Sequence, residues 1–245
     1  TVPHMAFRMD LARFWDVTTA TAASAARPNF GNRHYPRTKT PERALEIYEF
    51  EVCPYCRNAR EALSALSLSP IVYPCPKGGT RYREKVKADG GRYQFPYLVD
   101  PNTGVAMDES ADITEYLFRE YGDGRVPWFL KQRGFAVSTS MLASGFRPHR
   151  GRHAVASREP AQLLELYSYE GSPFCRIARE ALCELELPHQ VHNVPRRSPE
   201  RPGFVSLSGR MQVPYLQDPN TGAEMFESSD IRAYLYDTYA LSAGA

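Results

Sequence analysis

The sequence predicts an α/β protein made of two consecutive copies of one small domain. Residues 45–68 align without gaps on residues 164–187, with 14 of 24 positions identical, and residues 96–122 align on residues 214–240, with 16 of 27 identical. Only one residue is lost in the variable segment between these blocks. Because 245 residues are enough for two domains of ordinary small size, each copy is expected to bury a core of its own.

Within each copy, β-prone runs alternate with runs that have the apolar spacing of a helix. A proline opens the third predicted strand of each copy, and the Asp-Pro-Asn-Thr-Gly after that strand predicts a turn into a hairpin partner. The predicted elements, first copy then second, are strands at 46–50 and 165–169, helices at 56–66 and 175–185, strands at 71–74 and 190–194, strands at 96–100 and 214–218, and helices at 110–121 and 228–239. Leaving out an intervening segment, this is the β-α-β-β-β-α order of a thioredoxin-like domain. We therefore expect two such domains in tandem, joined by a partly helical linker.

The copies place the domains at residues 43–123 and 162–245, with an N-terminal arm at 1–42 and a linker at 124–161. Residues 17–40 of the arm are rich in Ala, Thr, Ser and Arg and contain no acidic residue, which is the composition of organelle transit segments. A transit remnant, a partly disordered arm and a docking tail all fit this composition. The amphipathic stretch FRMDLARFWD near the start predicts a short helix that packs on a partner or on the first domain.

The segment between the copies is too long for an ordinary loop, so part of it is predicted to be a helix that packs across one or both domains. This segment carries a basic patch consisting of Arg147, His149, Arg150, Arg152 and His153. Such a patch can bind an anion or an acidic partner, but short basic runs are more often solvated charge, and we interpret it in that way.

Composition narrows the class of function. The hydrophobic content of 42% is typical of a globular protein, and no run approaches the roughly 18 apolar residues of a membrane span. The net charge is +2, with 30 basic and 28 acidic residues interspersed, which argues against nucleic-acid binding. Five cysteines, an odd and sparse count that includes one C-x-x-C, indicate redox chemistry in a reducing compartment and not a secreted disulfide framework.

The strongest chemical signal is Cys53-Pro54-Tyr55-Cys56, placed between a predicted strand and a predicted helix. A thiolate at a helix N-terminus is stabilised by unpaired N–H groups and by the helix dipole, which lowers the pKa below about 8.5, and Arg57 is expected to add positive charge. Cys53 is the predicted nucleophile that attacks a disulfide, and Cys56 is the resolving thiol. The alternatives are two structural thiols or half of a zinc site. For the zinc site, only Cys75 lies nearby and no histidine occurs between residues 35 and 148. We therefore expect no metal.

The second copy keeps one thiol, because Ser172 aligns with Cys53 and Cys175 with Cys56. Cys175 occupies the usually buried resolving position, so inert packing is expected, and Cys183 on the same helix is expected in the core. Cys75, between two prolines, is interpreted as an unreactive thiol, with a regulatory disulfide as the alternative.

These residues resemble two families. The C-P-Y-C at the strand-to-helix junction resembles the dithiol of glutaredoxins, and Phe95-Pro96 and Val213-Pro214 resemble their cis-proline loop. Glu109-Ser110 and Glu227-Ser228 resemble the Glu/Gln-Ser pair of glutathione S-transferase N-terminal domains. Together with the segment YPCPKGG at 73–79, the tandem arrangement is similar to plastid tandem proteins of plants and algae, so the resemblance implies plastid localisation.

The resemblance implies glutathione as cosubstrate and disulfide-containing or glutathionylated proteins as partners. Phe95 and Val213 would pair through their backbones with the cysteinyl part of glutathione, as an added β-strand does. Ser110 and Ser228 would hold its γ-glutamyl carboxylate at a helix N-terminus; plain N-capping is the structural alternative. Ser172 would stabilise a glutathione thiolate, or the second copy is degenerate. The implied binding residues are Tyr55, Phe95, Pro96, Glu109, Ser110, Ser172, Val213, Pro214, Glu227 and Ser228.

The sequence departs from both families. Glutaredoxins commonly follow the cis-proline strand with Gly-Gly and Asp, whereas this chain has Asp-Pro-Asn-Thr-Gly and then Glu-Ser. The all-helical domain that builds the electrophile pocket of glutathione transferases has no room here, so conjugation is not expected. The predicted function is a glutathione-linked thiol–disulfide oxidoreductase with a degenerate second domain. The alternative is a redox-inactive subunit whose arm and linker dock on a larger organellar complex.

Overall fold

A computed structural model describes residues 11–27 and 30–241 of the chain. Its elements, in chain order, are α1 (Leu11–Ala25), β1 (Glu46–Glu49), α2 (Pro54–Ala65), β2 (Ile71–Pro74), α3 (Arg83–Gly90), β3 (Tyr97–Asp100), β4 (Val105–Met107), α4 (Ser110–Glu120), α5 (Trp128–Lys131), α6 (Arg133–Gly145), β5 (Leu164–Ser168), α7 (Pro173–Glu184), β6 (His189–Asn193), α8 (Arg201–Ser208), β7 (Tyr215–Asp218), β8 (Ala223–Phe226) and α9 (Ser228–Tyr239). In the described part of the chain, no helix is long and apolar enough to cross a membrane.

The predicted strands and helices of both copies are present, each within one or two residues of the expected bounds. Helices α2 and α7 begin at Pro54 and Pro173, earlier than expected, because proline fits the first helical turn, where its missing N–H leaves no hydrogen bond unmade. Helices α3 and α8 lie in the intervening segments, for which no element was predicted. The α/β class with two thioredoxin-like domains is confirmed.

The two copies share one eight-stranded sheet, in the order β4-β3-β1-β2-β6-β5-β7-β8. Its centre is the antiparallel pairing of β2 with β6, in which Ile71 lies opposite Gln190. Gln190 is the counterpart of Ile71, meaning the residue at the aligned position of the other copy. A strand that meets its own counterpart in antiparallel register places a pseudo-twofold axis between the two residues. The halves of the molecule are thus related by this axis.

Each copy buries its own hydrophobic core beneath its helices. The first core includes Ile47, Leu63, Leu98 and Leu117, and the second core contains the counterparts of these residues, which are Leu166, Leu182, Leu216 and Leu235. These side chains extend from the first and third strands and from the two long helices of each copy. The periodic apolar positions in the sequence therefore face the same layer in both domains.

The repeat also includes part of the arm and part of the linker. Residues 17–28 of the arm align on residues 137–148 of the linker, with six of twelve positions identical. Most of each segment lies in a helix, α1 in the arm and α6 in the linker. The two helices are exchanged between the copies, because α1 packs on α7 of the second copy and α6 packs on α2 of the first. Of the alternatives for the arm, disorder does not describe residues 17–27 and 30–40, which form the end of α1 and a segment packed on both domains.

Two matching arginines fix the exchanged helices. Arg27, which follows α1, donates from Nε to Glu61 at 2.7 Å, and its counterpart Arg147, which follows α6, donates from Nε to Glu180 at 2.7 Å. Each guanidinium also donates to a backbone carbonyl of the other exchanged helix, that of Ala136 at 2.7 Å and that of Asp16 at 2.8 Å respectively. Because Arg147 is buried and paired, the interpretation of the linker patch as solvated charge is wrong for this residue.

Two glycines allow the backbone to approach the opposite copy closely. Gly31 has a φ of +70°, and a Cβ there would lie 2.8 Å from the Cβ of Glu170; Gly151 has a φ of +63°, and a Cβ there would lie 2.6 Å from the Cβ of Glu51. Both the left-handed conformation and the contact require glycine. Each glycine stands four positions after the anchoring arginine of its segment.

A ring of four buried charges occupies the centre of the interface. Glu51 and Arg60 come from the first copy, and their counterparts Glu170 and Arg179 come from the second. The Arg179 guanidinium lies 3.0 Å from Glu170 and donates to Glu51, while that of Arg60 lies 3.4 Å from Glu51 and donates to Glu170. Each guanidinium therefore contacts a carboxylate of its own copy and one of the other.

Candidate dithiol site and its counterpart cleft

Cys53 lies immediately before α2 with extended backbone (φ −67°, ψ 121°), and its Sγ accepts the N–H of Cys56 at 3.3 Å. Pro54 follows and offers no competing donor. Burial opposes ionisation of Cys53, but the thiol of Cys56 and the N–H groups of Cys56 and Tyr55 stabilise the thiolate, so the pKa of Cys53 is lowered below its ordinary value. The predicted helix-terminal thiolate has the geometry that this chemistry requires.

Arg57 does not contribute in the way the sequence predicted. Its guanidinium is buried and lies 3.2 Å from Glu61 and 3.8 Å from Glu170. Position 57 is one turn into α2, and its side chain points to the interface between the copies, where two carboxylates neutralise it. The stabilisation of the Cys53 thiolate comes instead from hydrogen bonds at the start of the helix.

Cys56 is fully buried, and burial, together with its hydrogen bond to Cys53 and the Cys53 charge, raises the pKa of its thiol well above the ordinary value. The two pKa values are thus shifted in opposite directions, downward for Cys53 and upward for Cys56. The roles of nucleophile and resolving thiol stay predictions.

The Cys53 side chain is only 5% exposed, but it lines an open cleft of about 490 Å³. The other residues that line this cleft are Phe50, Val52, Pro54, Lys77, Arg83, Ser144, Gly145, Pro148 and Arg152. Four of these residues belong to the end of α6 and the chain after it, so the linker supplies one wall. The thiol thus faces a cleft between the first copy and the linker.

The residues of the first copy predicted to hold glutathione lie beside this cleft and do not line it. The Phe95-Pro96 bond is cis, and the Phe95 ring packs 6.0 Å from that of Phe50, behind the cleft wall. Glu109 and Ser110 lie at the start of α4. Tyr55 is 43% exposed outside the cleft.

In the second copy the corresponding residues do come together. The cleft there has a volume of about 480 Å³. Five predicted residues line it: Ser172, Val213, Pro214, Glu227 and Ser228. The Val213-Pro214 bond is cis, as expected. The second copy therefore assembles the whole predicted set around one opening, whereas the first copy opens its thiol toward α6.

Ser172 repeats the geometry of Cys53, because its Oγ accepts the N–H of Cys175 at 3.2 Å. The residues before the last helices, Glu109 and Glu227, have φ angles of 69° and 67°. Their side chains accept hydrogen bonds from Gln94 and Gln212, and no side-chain hydrogen bond caps either helix. The N-capping interpretation of Ser110 and Ser228 is therefore wrong, since these serines are the first helical residues. Strained residues of this kind cluster at functional sites.

The sequence reasoning missed the basic residues of both clefts. Arg83 and Arg201 each precede the cis-proline of their copy by thirteen positions, and Lys77 aligns with Arg196. All four line a cleft. Their shared spacing was visible in the aligned copies, but it lies in the variable middle, where identity is low. Arg152 carries no such spacing signal; the sequence placed it in the linker patch interpreted as solvated charge, and the structure places it on the cleft.

The other thiols fit the interpretation as packing residues. All five cysteines are free, and burial raises the pKa of Cys75, Cys175 and Cys183. Cys183 also has a structural role, because its Sγ donates to the carbonyl of Gly151 and accepts the N–H of Glu51, each at 3.4 Å. Within residues 11–27 and 30–241, no group of three or more potential metal ligands is found.

Behind the dithiol, an enclosed cavity lies between the copies. It is lined by Glu49, which pairs with Arg60, and by Ser168 and His189. Ser168 is the counterpart of Glu49, so this carboxylate has no symmetry mate, and burial with the nearby Glu51 and Glu170 charges raises its pKa to about 7. Burial lowers the pKa of His189 to about 4. Two polar atoms on the wall, Ser168 Oγ and His189 Nε2, have no hydrogen-bond partner among residues 11–27 and 30–241.

The fold and its two clefts define a tandem protein of the thioredoxin-like class. The family model for the glutathione S-transferase N-terminal domain matches residues 47–129 and 166–243, which together make up more than half of the chain. The chain therefore belongs to this family and contains its domain twice.

Two similar proteins carry related names. The glutathione S-transferase-like protein tpcF of Aspergillus fumigatus is 38% identical over 58 residues, which are 24% of this chain and 26% of that protein. The chain thus spans about a quarter of the length of this curated relative. A solved structure, the trimeric glutathione transferase TDR1 of Leishmania, aligns over 83% of this chain and 68% of its own, at 15% identity and a TM-score of 0.29.

Proposed function

We propose that the protein is a glutathione-linked thiol–disulfide oxidoreductase that uses the dithiol of the first copy. The observation that carries this proposal is Cys53 Sγ, which accepts the Cys56 N–H at the start of α2 and lines an open cleft. Membership of the glutathione S-transferase N-terminal domain family supports glutathione as the small thiol involved.

In the first step, the Cys53 thiolate attacks one sulfur of a substrate disulfide. A bond forms between Cys53 and that sulfur, and the other sulfur leaves as a thiolate. Cys56 then gives up its proton and attacks Cys53 Sγ, which releases the substrate as a thiolate and leaves a Cys53–Cys56 disulfide. Two electrons have passed to the substrate. Two molecules of glutathione return the protein to the dithiol and leave as glutathione disulfide.

The second cleft supports a second role, which is glutathione binding without a dithiol cycle. Ser172 Oγ occupies the position of the Cys53 sulfur, and the predicted binding residues line the same opening with Arg196 and Arg201. A hydroxyl that accepts a helix N–H can in turn donate to a bound thiolate. Calorimetric titration of the Cys53→Ser protein with glutathione tests this site separately from the first. The further substitution Ser228→Ala is expected to weaken the binding.

The main test is the reduction of a glutathionylated peptide with glutathione as the reductant. We expect turnover by the unaltered protein, none by Cys53→Ser, and full turnover by the matched control Cys75→Ser, which removes a different buried thiol. Equal rates for the unaltered protein and Cys53→Ser would contradict the proposal and favour a redox-inactive subunit of a larger organellar complex. Plastid localisation stays a prediction.

A further inference from the structure

The Cys53 cleft is lined by three cations, Lys77, Arg83 and Arg152, and by no carboxylate. The remaining lining residues are apolar, small or the thiol itself. In the described part of the chain, none of these three cations forms an ion pair, in contrast to the arginines of the interface between the copies, such as Arg60 and Arg147. Unpaired cations around one reactive group attract an anionic ligand.

Backbone hydrogen bonds join the segments that carry Lys77 and Arg152, and side-chain contacts hold Arg83. The Lys77 N–H donates to the Arg152 carbonyl at 2.6 Å, and the Ala154 N–H donates to the Lys77 carbonyl at 3.0 Å. Arg83 donates to the carbonyl of Cys75 at 2.8 Å, and its guanidinium stacks 4.8 Å from the Phe95 ring. Lys77 and Arg152 thus stand side by side although they come from different parts of the chain.

Comparison with the second cleft separates a shared feature from a specific one. Lys77 and Arg83 have basic counterparts there, Arg196 and Arg201. Arg152 has none, because the aligned arm residue is Asn32, and the second cleft is also lined by Glu227. Two cations are therefore common to both clefts, and the third occurs only where the dithiol is.

The position of Arg152 indicates what it contacts. This residue comes from the chain after α6 and lies beside Lys77, and both side chains are exposed, so these two cations stand at the rim of the cleft. Arg83, the least exposed of the three cations, is placed to serve a small molecule inside the cleft. A cation on the rim instead meets a ligand that extends out of the cleft, as a polypeptide does.

We propose that the Cys53 cleft selects disulfide substrates in which an acidic peptide segment adjoins the disulfide, and that Arg152 is the specificity-determining residue. This inference rests on the proposed oxidoreductase function. The net charge of the whole chain is only +2, so the selection is local to the cleft. Electrostatic complementarity of this kind raises the rate of association more than the final affinity, and salt weakens it.

The test uses two peptides, each with one central cysteine that is joined by a disulfide bond to a chromogenic thiol. Three glutamates flank the cysteine in one peptide, and three lysines flank it in the other. We expect the unaltered protein to reduce the acidic peptide with the higher kcat/KM, by about tenfold at low salt, and the ratio to fall as salt is added. Arg152→Gln should lower the ratio about two- to fivefold. Arg152→Glu should lower it further. Arg125→Gln, at an exposed position outside the cleft, should leave it unchanged.

A second measurement does not depend on turnover. The anisotropy of a labelled acidic peptide with serine in place of its cysteine reports binding alone, and Arg152→Gln should weaken this binding while Arg125→Gln should not. Equal rates for the two peptides, with no effect of Arg152→Gln, would overturn the inference and leave the oxidoreductase function standing. Reduction of neither peptide would overturn the oxidoreductase function, and the anisotropy would then decide whether the acidic ligand binds.

Discussion

Arg60, on α2 of the first copy, donates from Nε to a carboxylate oxygen of Glu170 in the second copy at 2.9 Å. Their counterparts make the same contact in reverse, since Arg179 donates from Nε to Glu51 at 3.0 Å. All four side chains are buried. Removing charges from water is costly, and the attraction between them offsets this cost only while every partner is present. Each copy thus supplies the counter-charges that the other needs.

Substitution Arg60→Met should lower the free energy of unfolding by about 3–5 kcal/mol, because buried Glu49 loses its ion pair and Glu51 and Glu170 each lose one of their buried cations. Urea denaturation at neutral pH measures this loss. The matched control is Lys85→Met, which removes a cation that pairs with Asp89 at 2.7 Å on the surface. The control should lose less than about 1 kcal/mol. Equal losses for the two variants would show that the ring does not hold the copies together.

The two copies should unfold in one transition, because the sheet, the exchanged helices and the charge ring all cross between them. The chain has two tryptophans, Trp15 on α1 and Trp128 on α5. Because α1 packs on the second copy and α5 on the first, each single variant keeps a fluorescent probe of one copy. Trp15→Phe keeps Trp128 as a probe of the first copy, and Trp128→Phe keeps Trp15 as a probe of the second. We expect the same urea midpoint from both probes and from circular dichroism. Two separate midpoints would mean that the domains fold independently.

Iodoacetamide should label a single cysteine of the native protein. The pKa of Cys53 is lowered by hydrogen bonds to its sulfur, whereas burial raises the pKa of each of the other four thiols. Mass spectrometry should find the label on Cys53, at a rate that rises with pH and has its midpoint at a lower pH than that of an ordinary cysteine. Cys53→Ser should take up no label.

The variant Cys56→Ser sharpens this experiment. This substitution replaces the buried Cys56 thiol, which donates a hydrogen bond to the Cys53 sulfur, with a hydroxyl group. We expect labelling of Cys53 to persist with a shifted pH midpoint. Labelling of Cys75 or Cys183 at a comparable rate in the unaltered protein would rule out the assignment of Cys53 as the reactive thiol.

The enclosed cavity should give stability two opposing dependences on pH. The pKa of His189 is lowered to about 4 in the folded state, so between pH 4 and about 6.5 the unfolded chain binds a proton that the folded one does not, and stability rises with pH. The pKa of Glu49 is raised to about 7. Between about pH 4.3 and 7 the folded chain therefore keeps a proton that the unfolded one loses, and stability falls with pH.

Two single variants separate these effects. In unfolding experiments between pH 4 and 7, His189→Gln should remove the rising contribution, and Glu49→Gln should remove the falling one. Relative to the unaltered protein, the slope of stability against pH should therefore decrease in the first variant and increase in the second. Slopes that change in the same direction would contradict the assignment of the two pKa shifts.

The sequence was sufficient where the information is local. The position of Cys53 before α2, the turn after each third strand and the bounds of most elements follow from residue types at short spacing. The serine at position 172 could be assigned to the start of a helix for the same reason. The arm and linker were harder, because residues 17–28 and 137–148 share only six of twelve positions and their matching function depends on Arg27 and Arg147 reaching carboxylates more than thirty residues away.

By itself, the sequence determined the two thioredoxin-like copies, the dithiol and its loss in the second copy, because apolar period, turn chemistry and helix-terminal position are properties of neighbouring residues. Only the tertiary structure decided that the copies share one sheet, that α1 and α6 are exchanged, and that Arg152 stands at the rim beside Cys53. Those outcomes depend on contacts between distant segments. Their stability comes from burying charges and apolar surface together, which no local pattern records.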